Sequence, residues 1–329
     1  MRGRKSLSGI DGIDGQCYKY PMNDKYVALI GAANIDIQGF STDKIIERDS
    51  NPGKIEFCPG GVSRNIAENL ARLGIKTELI AAIGDDPNGS LILNSCSSCG
   101  IGSEYSLIVP NAVSSVYLAI MDNTRDMALA LSDMKISDNI SVKFLESRDE
   151  ILKKSEAIVF DTCLTTDAMD YILNKYENKP IYVDPVSAGK AKSLINLIGK
   201  VHTLKMNKLE AEFLSDTKIN NNFDLEKTSL WFINQGVKRV FITLGRKGVF
   251  YRDLQNHGSY KPAAAEIKNA TGAGDAFMAG LVYGSLKNYD LEKIVRFASG
   301  VSSAALAGKK TVNPKINFEY IKQITGELF

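Results

Sequence analysis

The chain has 329 residues, 44% of them hydrophobic and 24% charged. That is the balance of a folded globular protein, and it excludes a disordered, collagen-like or membrane-spanning polypeptide. Forty Lys and Arg against 38 Asp and Glu leave a net charge of +2 with the basic residues scattered, so nothing global points to DNA, RNA or a membrane surface.

Residues 1–24 carry four glycines and one proline but no period of 2 or 3.6, and read as a flexible leader. Arg2, Arg4 and Lys5 cluster there, but so short a segment cannot supply a packed nucleic-acid reader. From Tyr26 the pattern becomes short apolar runs bounded by Gly, Asp or Pro: 26–31, 78–83, 157–161, 181–184, 202–205 and 239–244. Such runs, separated by lengths that suit crossover helices, predict buried parallel strands in βαβ units, with residues 25–329 forming one α/β domain. The clearest helix begins near Ser63, puts Ile66, Leu70 and Leu73 on one stripe, and ends at Gly74 as a left-handed cap. Residues 37–59 and 105–132 break the rhythm; Val116–Met121 and Met127–Leu131 flank 122–126 as a hairpin would. Both segments read as strands of a small β-lid inserted into the α/β body.

The five cysteines, Cys17, Cys58, Cys96, Cys99 and Cys163, are an odd and sparse set, which fits a reducing cytoplasm rather than a disulfide scaffold. Cys96 and Cys99 have the spacing of half a zinc site or a redox pair, but no second pair follows, and they read as two small residues at a helix end. No run approaches the roughly 20 apolar residues that cross a bilayer, and no apolar export signal opens the chain.

Chemistry concentrates at Asn269-Ala-Thr271-Gly272-Ala273-Gly274-Asp275-Ala276-Phe277, ahead of an apolar helix read as Met278–Leu286. Small residues there let a ligand reach the backbone, and free N–H groups at a helix start make an anion site. A carboxylate beside such a site opposes simple phosphate binding but serves as proton acceptor for a hydroxyl nucleophile, which marks Asp275 as a candidate catalytic base. The competing explanation is a packing turn with Asp275 complementing the helix dipole. Phe277 breaks G-x-G-x-x-G and no Walker loop occurs, so neither a dinucleotide fingerprint nor a P-loop is present.

Four motifs in order, Gly60-Gly61 with Asn65, Asn207-Lys-Leu-Glu210, Thr243-Leu-Gly245-Arg-Lys-Gly248 and Ala270-Thr-Gly-Ala-Gly-Asp275, resemble the ribokinase-like (PfkB) carbohydrate and nucleoside kinases over about residues 26–315. Ala33-Asn34-Ile-Asp36, Pro59-Gly-Gly-Val-Ser-Arg64-Asn65, Val183-Asp184 and Lys205-Met-Asn207 are most similar to the pseudouridine kinases within it. The resemblance implies a three-layer α/β sandwich with a central, mostly parallel sheet and a small β-sheet lid. It implies an ATP- and Mg²⁺-dependent phosphotransferase acting on the 5'-hydroxyl of pseudouridine. The alternatives are another sugar or nucleoside kinase of the family, or a binder that lost catalysis.

By the same resemblance Asp275 is the base and Gly272, Ala273 and Gly274 form the anion hole. Asn34, Asp36, Gly60, Gly61 and Asn65 hold the acceptor, unless the first two form only an Asx turn and the glycines only a strand-to-helix turn. Asn207, Thr243, Gly245 and Gly248 hold ATP, and Asn207 with Glu210 organises Mg²⁺ through water, unless that pair is merely solvated. Lys205 is either a positive charge directed at phosphate or a solvated lysine. Asn269 stands where many relatives have an Asp that helps bind a monovalent cation, so K⁺ binding is expected to weaken unless backbone carbonyls compensate. A homodimer through the lid, a small-molecule substrate, and no nucleic-acid or membrane partner complete the expectations.

Overall fold

The computed structural model describes residues 25–262, 267–269 and 271–326; the leader, Cys17 and Ala270 lie outside them. The strands are β1 (Tyr26–Ile30), β2 (Asn34–Ser41), β3 (Gly53–Gly60), β4 (Lys76–Ile80), β5 (Ala82–Gly84), β6 (Leu107–Val109) and β7 (Val116–Met121). They continue with β8 (Met127–Asp133), β9 (Ala157–Asp161), β10 (Ile181–Asp184), β11 (Thr203–Asn207), β12 (Arg239–Thr243), β13 (Val249–Arg252) and β14 (His257–Tyr260).

An eight-stranded sheet runs in the order β14-β13-β12-β11-β10-β9-β1-β4. From β12 to β4 every pairing is parallel, and the β13–β14 hairpin adds an antiparallel edge. The parallel strands are buried on both faces, which is why they read as unbroken apolar runs. The pleat divides them cleanly. Val27, Leu29, Leu79, Val159 and Phe241 join one core with the helices Val62–Arg72, Ala273–Leu286 and Leu291–Leu306. Ala28, Ile30, Ile80, Ile158, Phe160 and Ile242 join another with Thr166–Lys175, Lys208–Ser215 and Asn222–Gln235. The result is a three-layer α/β/α sandwich of the ribokinase-like fold, as the motif order implied.

A separate four-stranded sheet, β3-β2-β7-β8, projects from the body. Its register puts Ile55, Phe57, Ile37, Leu118, Ile120, Leu129 and Leu131 on one face. Near the body Ile35 and Ile37 merge into the core, whereas Ile55, Phe57, Leu129 and Leu131 are exposed.

Three boundaries differ from the sequence reading. The run 78–83 splits at Ala81: β4 ends in the large sheet, and β5 pairs with β6 in a two-stranded sheet of its own, so the stretch from 105 to 112 is not part of the small sheet. Apolar content cannot reveal such a change of partner. The fifth parallel strand runs to Asn207 rather than Lys205, because Lys205, Met206 and Asn207 stay in register with β12. The helix read as beginning at Met278 begins at Ala273, so Gly274 and Asp275 lie in its first turn.

Candidate active site

The parallel strands end at Ile30, Asp161, Asp184, Asn207 and Thr243 along one edge, the carboxyl edge where open α/β sheets place ligands. The helix Ala273–Leu286 starts there. Its N-cap, Gly272, is left-handed (φ 82°), and a side chain on it would overlap the Thr311 carbonyl, so the turn demands glycine. Gly272 supplies no side-chain cap, which leaves the Ala273, Gly274 and Asp275 amides without intrahelical acceptors, a ready anion site.

Asp275 points into this edge and accepts from Asn65 Nδ2 at 2.9 Å. Its side chain keeps some solvent access, but the surrounding protein strips most of its hydration. Burial first, then the Asp184 carboxylate, push it up to about 7; Lys205 and the Asn65 hydrogen bond resist, and Asp161 adds to the rise. A carboxyl poised there exchanges protons near neutrality, where a general base is most effective.

Lys205 is not solvated. Its Nζ lies against Gly274 and pairs with Asp184 Oδ2 at 2.8 Å, both side chains being buried. Burial alone would lower the ammonium's pKa, but Asp184, then Glu210, the hydrogen bond to Asp184, and Asp275 together hold it above the usual lysine range. Asn207 and Glu210 form a capping box on the helix Lys208–Ser215: Asn207 Oδ1 accepts from the Glu210 amide, and Glu210 accepts from the Asn207 amide and Nδ2. Asn207 is exposed and Glu210 buried, so the two are not a solvated pair. Burial, then Asp184, raise the Glu210 carboxyl, against Lys205 and the Asn207 amide.

This donor set fits Mg²⁺. Asp184, Glu210 and Asn207 supply hard oxygens with an excess of negative charge around one ammonium. Among the described residues no three His, Cys, Asp or Glu side chains gather as direct metal ligands; Asn207 and Glu210 would hold the ion less directly.

Asn34 and Asp36 lie within β2 rather than in a turn after β1, with Asn34 Nδ2 donating to Asp36 Oδ1 at 2.7 Å. Gly60, opposite Asn34, leaves the space that the Asp36 carboxylate fills; a Cβ there would overlap it. Burial raises the Asp36 carboxyl, resisted by Asn34 and by Arg64. Gly61 is the N-cap of Val62–Arg72 and packs against Ala32 and Ala33, so that helix carries Asn65 from the small sheet to Asp275.

Thr243 sits opposite Asn207 and donates through its hydroxyl to the Met206 carbonyl, while Gly245 and Gly248 bound the turn that follows. Asn269 Oδ1 accepts from the Thr271 amide at 2.9 Å, and its Nδ2 donates to the Lys309 carbonyl at 3.2 Å. Cys96 is in the last turn and Cys99 the C-cap of the helix Pro87–Ser98, the helix-end placement.

The sequence reading left Asp161 without a role. It is fully buried and accepts from the Ala32 and Ser63 amides, the Ser63 hydroxyl and the Cys163 amide, tying β9 to the loop after β1 and to the start of Val62–Arg72. A signal existed: Ile-Val-Phe-Asp161 and Ile-Tyr-Val-Asp184 both put a carboxylate at the carboxyl end of a buried strand.

Residues 24–317 match the model of the pfkB family of carbohydrate kinases. A pseudouridine kinase from Escherichia coli (strain K12) is 41% identical over 293 residues, 89% of this chain and 94% of that protein. Among solved structures, one described as a sugar kinase from Clostridium perfringens superposes with a TM-score of 0.81 at 35% identity, covering 92% of this chain and 95% of that one. Arabidopsis thaliana ribokinase with ribose and ATP superposes at 0.79 and 16% identity, covering 93% and 100%. The fold, the family match and the polar groups gathered at the carboxyl edge agree: the chain belongs to the PfkB family of carbohydrate kinases and is a phosphotransferase.

Proposed function

We propose that this kinase transfers the γ-phosphoryl group of ATP to the 5'-hydroxyl of pseudouridine. The observation that carries the transfer chemistry is Asp275, held by Asn65 in the first turn of a helix whose amides are open. The 41% identity to a pseudouridine kinase, together with the buried Asn34–Asp36 pair as a hydroxyl-binding element, supports the acceptor. The small sheet serves as a lid that covers the nucleoside and excludes water.

In this mechanism Asn34, Asp36, Gly60, Gly61 and Asn65 orient the ribose. Asp275 takes the proton from the 5'-hydroxyl as its oxygen attacks the γ-phosphorus, and the bond to the bridging oxygen breaks to release ADP. The amides of Ala273, Gly274 and Asp275, with Gly272 shaping the turn, stabilise the negative charge on the migrating group, and Lys205 adds a fixed positive charge beside Gly274. Asn207, Thr243, Gly245 and Gly248 hold the nucleotide. Kinases of this family use ATP with Mg²⁺; here Asn207 and Glu210 would hold the ion, which when bound would neutralise phosphate charge. The four described cysteines are free thiols, which suits a reducing cytoplasm. Among the described residues no helix is long and apolar enough to cross a membrane.

Transfer of labelled phosphate from ATP to pseudouridine, uridine, adenosine, ribose and fructose 6-phosphate tests the acceptor. Pseudouridine should give the highest kcat/KM. Faster transfer to another of these compounds would replace the substrate but keep the chemistry. Binding with no ADP formed at any Mg²⁺ concentration would refute catalysis.

We infer that Asn269 weakens any K⁺ site here, because the side chain is neutral and its NH₂ already donates to the Lys309 carbonyl. Replacing K⁺ by tetramethylammonium is therefore expected to change the rate less than about twofold, whereas Asn269→Asp should create a K⁺ dependence. A strong K⁺ requirement in the native enzyme would reverse this conclusion.

The exposed apolar face of the small sheet is best covered by the same face of a second copy, which makes the enzyme a homodimer. Sedimentation of the native chain should give a dimer and Leu129→Lys a monomer. A native monomer at tens of micromolar would exclude the lid dimer.

A further inference from the structure

Among the described residues Asp275 has one side-chain hydrogen-bond donor, Asn65, whose amide can face it in two ways. The two ends of an Asn amide have nearly the same shape, but only the NH₂ end favours an ionised carboxylate. Asn65 Nδ2 donates to Asp275 Oδ2 at 2.9 Å, and Asn65 Oδ1 accepts from Arg64 Nη1 at 3.1 Å. A guanidinium carries donors only. Turning the amide over would set NH₂ against the guanidinium and Oδ1 against the carboxylate, exchanging two attractive contacts for two repulsive ones.

Arg64 is itself held firmly. The side chain is buried; Nη2 meets Glu68 Oε2 at 2.6 Å and Ser95 Oγ at 2.7 Å, and Nη1 also reaches the Pro59 carbonyl at 3.3 Å. Glu68 in turn accepts from Arg72 Nε and Nη2, and Arg72 Nη1 donates to the Pro314 carbonyl. One face of Val62–Arg72 thus carries a ladder of charge-assisted bonds from the C-terminal segment to Asn65.

We propose that Arg64 is a positioning residue for phosphoryl transfer: by occupying Asn65 Oδ1 it keeps the Asn65 NH₂ on Asp275. This rests on the reading of Asp275 as the base. The charged groups facing Asp275 from the other elements are Asp184 at the end of β10, Lys205 on β11 and Asp161 at the end of β9. Asp184 and Asp161 oppose ionisation of Asp275, Lys205 favours it, and each of the three is anchored by buried bonds of its own. The Asn65 amide is the partner with two orientations, and Arg64 selects between them.

The test is the pH profile of kcat/KM for the acceptor with Arg64→Met, Arg64→Lys, Asn65→Ala and the double variant Arg64→Met/Asn65→Ala. Arg64→Met leaves Glu68 paired with Arg72, and it should move the acid limb up by about one pH unit, roughly a tenfold loss of kcat/KM below the limb. Arg64→Lys keeps the charge and the Glu68 pair but lacks the planar fork, so it should shift the limb about half as far; it carries the test alone if Arg64→Met does not fold. In the Asn65→Ala background, removing Arg64 should move the limb no further. An unmoved limb in the folded Arg64 variants, or an equal additional shift without Asn65, would overturn the proposal. Asp275→Asn separates the two ideas. If it keeps the native limb, Asp275 is not the base and the Arg64 role falls with it. If it loses the limb while the Arg64 variants keep theirs in place, only the Arg64 role fails.

Discussion

Asp275→Asn should lower turnover by about 10²- to 10⁴-fold, the range for loss of a general base, while leaving ATP affinity within a few-fold. The substitution keeps the shape and an oxygen for Asn65 Nδ2, so the first turn of Ala273–Leu286 and its open amides stay in place. In the native enzyme kcat/KM should rise with pH through about 7, because only the ionised carboxylate accepts the hydroxyl proton. The variant should lose that limb. Stability supplies a separate check. A carboxyl whose pKa is raised on folding costs nothing below its unfolded value, near 4, and stability is lost as pH rises toward its folded value, near 7. The Asn variant should therefore melt above the native protein at pH 8, with the gap closing on acidification to pH 4. A near-native rate, or a variant less stable at pH 8 than at pH 4 relative to native, would remove Asp275 from the proposed role.

Lys205→Met should destabilise the protein by about 3 to 5 kcal/mol, the cost of leaving a buried charge without its partner. Asp184 is almost wholly buried and loses the Nζ contact at 2.8 Å, while the Val186 amide still donates to it. Glu210 and Asp275 lose the same cation, so three carboxylates face one another across the edge where nucleotide phosphates are proposed to bind. Asp275 should then titrate above 7, because Lys205 is one of the groups holding it down. Urea denaturation measures the first effect and the pH profile the second. Lys205→Met/Asp184→Asn should recover much of the stability, since the uncompensated charge is gone, yet stay slow in transfer. A single variant as stable as native would mean that the pair contributes nothing to the fold.

The fold was legible wherever burial alone decides structure. Ile-Val-Phe at 158–160 and Tyr-Val at 182–183 must be buried on both faces, and their spacing leaves room for little except crossover helices. Asp275 stood out for a similarly local reason: a carboxylate among glycines at a helix start asks for a chemical explanation. Boundaries followed less well. Gly272-Ala-Gly274 reads as a loop by propensity, but helix there is secured by packing of the following turns against Leu291–Leu306, a contact far away in sequence.

Amino-acid order by itself determined the α/β class, the family motifs, and which side chains are candidates for transfer. Only the tertiary structure decided their partners. It sets Asn65 on Asp275 across 210 positions of chain, Lys205 on Asp184, and Arg64 behind Asn65. Local periodicity reports burial, which one segment expresses alone; hydrogen bonds and charge compensation join residues that only the crossovers of the sheet bring together.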